Sequence, residues 1–137
     1  MSARDENNSD IELIYRRIPE APGFLVPDLE TGRRVPTHTA FRWDPDGISV
    51  HRSSLLTEYG LGPESMVKKP GQMVWGFPAR ATRPCKAKII DAPDPEDPPI
   101  GMAHALIQCE VPRPDKPRRR EISEALAEES RLCFPAE

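Results

Sequence analysis

The sequence predicts an α+β domain in which a single small antiparallel or mixed sheet packs against a C-terminal helix. Three observations lead there. Residues 102–111 alternate as a strand does, residues 117–133 carry apolar side chains at helical spacing, and 17 prolines divide the chain between short elements and long, stiff loops. Residues 1–10 are polar and have nothing to bury, so they read as a disordered start. That leaves residues 11–137 as a single domain, long enough to form one core without disulfides or metal.

The elements follow in order. Ile11 to Ile18 fits a helical turn through Ile11, Ile14, Tyr15 and Ile18, or a strand through Ile11, Leu13 and Tyr15. Pro19 pushes Ile18 toward extended backbone and favours the strand. Pro19 to Pro36 is a loop with an extended piece at Phe24 to Val26. Asp44-Pro45-Asp46-Gly47 has the residues of a type I turn, and predicts a hairpin of Thr37 to Trp43 with Ile48 to Arg52. Thr39, Phe41, Trp43, Ile48 and Val50 would then face the core, with His38, Arg42 and His51 on the polar side. Ser53 or Ser54 can cap a short helix that Gly60 stops. Gly62-Pro63-Glu64 starts another, with Lys68 and Lys69 in its last turn. Met73 to Phe77 is apolar on both faces, as in an internal strand. Cys85 to Asp91 is a weaker strand, and Asp91 to Pro99 a solvated loop. From Met102 to Val111, the residues Ala103, Ala105, Ile107, Cys109 and Val111 share the core side, opposite His104 and Gln108. In the helix from Pro117 to Cys133, Ile122, Ala125, Leu126, Leu132 and Cys133 form one stripe. Glu129 falls inside that stripe, so it should lie at the edge or meet a cation.

Composition narrows the function. A net charge of −3 argues against general nucleic-acid binding, though a local basic patch remains open. Three widely spaced cysteines, Cys85, Cys109 and Cys133, lack zinc spacing and read as reduced cytosolic thiols. No metal or cofactor is implied. The chain has no run of ~18 apolar residues that could cross a membrane. Nor does it open with the apolar stretch of a signal peptide, so the expected location is cytoplasmic. Arg outnumbers Lys 14 to 5, which suggests GC-rich coding and a bacterial source.

Several side chains invite chemistry. His38 and His51 would be diagonal neighbours across the hairpin, with Arg42 beside them as a binding face. His104 reads either as a structural histidine bonded to a carbonyl or as a catalytic base in need of a partner. Arg17, the Thr37-His38-Thr39 run and Glu110 occur in the order used by ADP-ribosyltransferase folds, and Arg17, Ser49 and His104 are the catalytic candidates if they converge. Arg118, Arg119 and Arg120, with Arg113 and Lys116, sit at the start of the last helix. They could bind an anion or be neutralised by Glu121 and Glu124. No phosphate loop, nucleophile elbow or metalloprotease motif is present.

Tyr15-Arg16-Arg17-Ile18, Val26-Pro27-Asp28, Gly32-Arg33-Arg34, Thr39-Ala40-Phe41, Ser49-Val50 and His104-Ala105-Leu106-Ile107 occur in an order that resembles a group of small bacterial proteins. The resemblance implies one intact domain and no particular mechanism. Within it, small polar residues are commoner at the place of His38 and an acid at that of His51, which shifts weight to His104 and Arg17. Taken together, the sequence favours a non-enzymatic accessory protein that binds a protein partner and no membrane. The alternatives are a small nucleotide-handling enzyme of ADP-ribosyltransferase type, or a nucleic-acid contact through residues 113–120.

Overall fold

The computed structural model describes residues 10–135. The expected disordered start therefore lies outside the described residues, apart from Asp10, which pairs with Arg83.

Among the residues wholly described, the chain forms eight strands and two helices joined by 3-10 turns. These are β1 (Leu13–Pro19), β2 (Leu25–Pro27), β3 (Arg34–Pro36), β4 (Ile48–Arg52), α1 (Ser53–Glu58), β5 (Gln72–Pro78), β6 (Lys88–Asp91), β7 (His104–Gln108), α2 (Lys116–Glu129) and β8 (Arg131–Phe134). Six strands make one sheet in the order β6-β7-β4-β1-β5-β8, and every neighbouring pair is antiparallel. β2 and β3 form a separate two-stranded ribbon. The fold is thus α+β with one long C-terminal helix, but its sheet is larger than the sequence suggested.

Alternation gives the sheet two different faces. Ile14, Ile18, Ile48, Val50, Phe77, Ala105 and Ile107 point to one side and meet Ile122, Leu126 and Ala127 of α2. Phe41 fills the same core, with its ring edge-to-face against Phe77 at 6.0 Å. The α2 start is well defined: Asp115 accepts the Arg118 N–H at 3.0 Å, and Pro117 sits in the first turn, where its missing N–H costs nothing. On the other side Tyr15 and Val74 meet Leu56 of α1, Met66 and Ala103. β5 is buried on both faces, as its unbroken apolar run predicts.

Several local expectations change. Thr37 to Trp43 is not a strand; His38–Phe41 is a 3-10 turn, although the Asp44–Gly47 turn forms as predicted. β4 already has β1 on one edge and β7 on the other, so no ladder is left for residues 37–43. Thr39 is consequently exposed, Trp43 only half-buried, and His51 buried rather than solvated. Gly47 is required at its place: φ is +133° and a Cβ would lie 2.5 Å from the Ile107 carbonyl oxygen.

At the C-terminus, α2 stops at Glu129 and residues 131–134 become β8, so Leu132 and Cys133 leave the helical stripe and Glu129 is exposed. The residue before α1 is Arg52, not a serine, and the helix start is tied by Glu12 instead. The remaining changes are of extent. The 3-10 turn at Pro63–Met66 ends before Lys68, residues 85–87 lie outside β6, and β7 spans 104–108 with Val111 exposed.

Candidate functional site

The face of the sheet away from α2 carries a polar cluster on adjacent strands. β4 and β7 pair with His51 opposite His104 and Ser49 opposite Leu106. Directly opposite residues share a side, so Ser49, His51, His104 and Leu106 all face the same way. The His51 and His104 rings meet edge-to-face, with centroids 5.3 Å apart.

A hydrogen-bond chain fixes the His104 ring. Its Nδ1 lies 2.8 Å from the Ala92 carbonyl oxygen, which can only accept, so Nδ1 carries the proton. In the neutral ring Nε2 then presents a lone pair. Ser49 Oγ lies 2.6 Å from it and donates. Ala92 is held by the same residue, since its N–H donates to the His104 carbonyl at 3.0 Å. His104 is thus bonded to a carbonyl, as the first expectation had it, and its second ring nitrogen meets the Ser49 hydroxyl. Sequence could not reveal Ala92, because a backbone carbonyl has no residue signature.

Charge around the cluster is uneven. Burial, His104 and the nearby Arg17 and Lys68 cations push the His51 imidazole down to about 4, with Asp97 pulling the other way. Arg17 donates to the Met66 carbonyl at 2.9 Å, and Lys68 pairs with Asp97 at 2.5 Å. Arg16, on the opposite side of β1, reaches the carbonyls of Ala40 and Ser49 at 3.0 and 2.8 Å and braces the backbone behind Ser49. Arg17, Ser49 and His104 therefore share one side of the sheet. Glu110 does not join them: it accepts two bonds from Arg118, whose guanidinium holds it down to about 2. It also lies six residues beyond His104, roughly 20 Å along an extended chain.

The other candidates disperse. His38 sits apart from His51, in a cleft of about 360 Å³ with Asp28, Glu124 and Glu128. Arg42 is exposed and lies 4.0 Å from Asp44. Arg118 bonds Glu110, Glu121 and the Cys85 carbonyl, and Arg120 bonds Glu124, so local acids take up much of the basic run. Arg119 donates to the Pro114 carbonyl and lines a cleft of about 290 Å³ with Trp43 and Arg113. Among the described residues no three His, Cys, Asp or Glu side chains are grouped to hold a metal, and no helix is long and apolar enough to cross a membrane.

A second feature escaped the sequence. At the tip of the β2–β3 ribbon Leu29 is 100% exposed, yet its turn is tightly built. Asp28 N–H donates to the Arg33 carbonyl at 2.7 Å, Gly32 N–H to the Asp28 carbonyl at 2.8 Å, and the Thr31 hydroxyl to the Asp28 carboxylate at 2.9 Å. Gly32 adopts φ +74°, a conformation that favours glycine. At the base, Leu25 is buried in the core and Thr37 donates to the Gly23 and Phe24 carbonyls. The signal was Asp28-Leu29-Glu30-Thr31-Gly32, an apolar residue set among turn formers. Compared with protein-family models, curated proteins and solved structures, the chain matches none.

Proposed function

We propose that this is a partner-binding protein whose anchor is Leu29, presented by the β2–β3 ribbon to an apolar pocket on another protein. The observation that supports this is a fully exposed leucine on a turn closed by backbone and side-chain hydrogen bonds. A pre-ordered apolar residue binds without first losing turn entropy, which is how a few anchors come to dominate an interface. Val26, 42% exposed on the same ribbon, extends the contact, and the Arg34–Glu20 pair provides a polar rim. The ADP-ribosyl-transfer alternative loses support with Glu110 held by Arg118, and the nucleic-acid alternative with Arg118 and Arg120 paired to acids.

The test compares the wild type with Leu29→Asp by size-exclusion chromatography in extract of the native cell, followed by titration against the purified partner. Stability should stay within about 0.5 kcal/mol, because Leu29 packs on nothing. The complex should weaken by about 2 kcal/mol or more, roughly thirtyfold. Equal affinity of both proteins for the partner would remove Leu29 as the anchor.

A further inference from the structure

We propose that Ser49 and His104 form a nucleophile–base pair that cleaves carboxylic esters with an apolar acyl chain. A serine hydroxyl is a poor nucleophile unless a base within hydrogen-bond reach removes its proton and a third group holds that base in the right tautomer. Both conditions are met: Ser49 Oγ to His104 Nε2 at 2.6 Å, and His104 Nδ1 to the Ala92 carbonyl at 2.8 Å. Ser49 and His104 are both half-buried, so the pair is shielded but reachable from solvent.

The substrate class follows from the row of side chains across the sheet. Ser49 stands opposite Leu106 on β7, and Leu106 opposite Ile90 on β6. These three lie side by side on one face, ending at the sheet edge, where Ile90 is 37% exposed. An acyl carbon placed at Ser49 would let its chain run over Leu106 and Ile90.

The chemistry closes on itself. Ser49 Oγ bonds to the ester carbon while its proton passes to His104 Nε2. The bond to the alcohol oxygen then breaks, and the alcohol leaves with that proton. Water adds to the acyl-serine by the same relay, releasing the carboxylic acid and restoring the serine. Only water is consumed.

The experiment treats the intact protein with an alkyl fluorophosphonate, whose phosphorus takes the serine oxygen as fluoride leaves, and maps the adduct by mass spectrometry. In parallel, hydrolysis of p-nitrophenyl acetate, butyrate and octanoate is followed. The expected result is one adduct, on Ser49, and ester hydrolysis about 10²-fold above the Ser49→Ala and His104→Gln variants, the lower range for a positioned base. Ile90→Ser should lower the ratio of octanoate to acetate hydrolysis relative to wild type. If a variant fails to fold, the wild-type adduct map alone decides. No adduct on Ser49 in folded wild type, or an adduct elsewhere, overturns the proposal.

Discussion

His51 is an imidazole held neutral by its surroundings, and this gives the fold a pH dependence of known sign. Burial is the main cause, then His104, Arg17 and Lys68, with Asp97 opposing, and the result is a folded value of about 4. In the unfolded chain the group titrates near 6.5. Above pH 6.5 it is neutral in both states and adds no pH dependence. Between 6.5 and 4 the unfolded chain binds the proton and the folded one does not, so stability falls as the pH falls. Below 4 both are protonated and the loss is complete. The depth of the effect is about 3 kcal/mol. Urea unfolding of the wild type and His51→Asn across pH 4–7 checks this. The variant should lose most of the slope in that window, and a slope identical to wild type would place the titrating group elsewhere.

At the scale of elements, one carboxylate joins three of them. Glu12, just before β1, accepts the Ser54 N–H at 3.0 Å and the Ser54 hydroxyl, so it satisfies a free donor in the first turn of α1. The same side chain accepts from Arg52 Nε and Nη2 at 3.3 and 3.1 Å and is only 6% exposed. Arg52 also pairs with Asp91 of β6, which is 56% exposed. Removing Glu12 takes away the α1 cap and an interior partner of Arg52, whereas removing Asp91 breaks a solvent-screened pair. Glu12→Ala should therefore cost about 2–3 kcal/mol and Asp91→Ala less than about 1 kcal/mol, measured by denaturant titration. Equal costs would refute the cap.

The same contrast between local and distant partners sets what was legible in the sequence. β7 and β5 were readable because period-two alternation and a two-sided apolar run are local patterns, and Ala105, Ile107 and Cys109 are buried as that alternation requires. The Asp44–Gly47 turn was readable from its residue types. The strand expected at 37–43 failed because the partners of β4 come from β1 and β7, about 35 and 55 residues away, which no local pattern shows. Of the candidate site, Ser49, His104 and Arg17 were named from the sequence, yet their neighbours Ala92 and His51 depend on that long-range pairing. Sequence therefore supplied the residues and the topology supplied the geometry.

For the whole molecule, the decisive pairing is at the chain's end. β1 is an inner strand of the sheet, and β8 closes one edge by pairing with β5 at Trp75–Leu132 and Val74–Phe134. Leu132 packs with the core beneath α2, whereas Cys133 and Phe134 pack on the opposite side with Val74 and Met66. A helix continuing to Cys133 could not feed both sides; β8 does so, with Cys133 as the extra residue of an irregularity between the Trp75–Leu132 and Val74–Phe134 pairs. Pro135 favours extended backbone at Phe134, the last residue of β8, but leaves open where α2 ends. Ending the chain after Ser130 should then remove three partly buried apolar side chains and the β5 ladder, a loss of about 3 kcal/mol at roughly 1 kcal/mol each. Because both sides of the sheet lose contacts, the loss should appear in the single global unfolding transition, and the β5 amides from Val74 to Phe77 should exchange faster by the matching factor. Frayed residues at the end of α2 would instead leave the transition and the β5 amides as they are in wild type, and that outcome would return residues 131–134 to the helix.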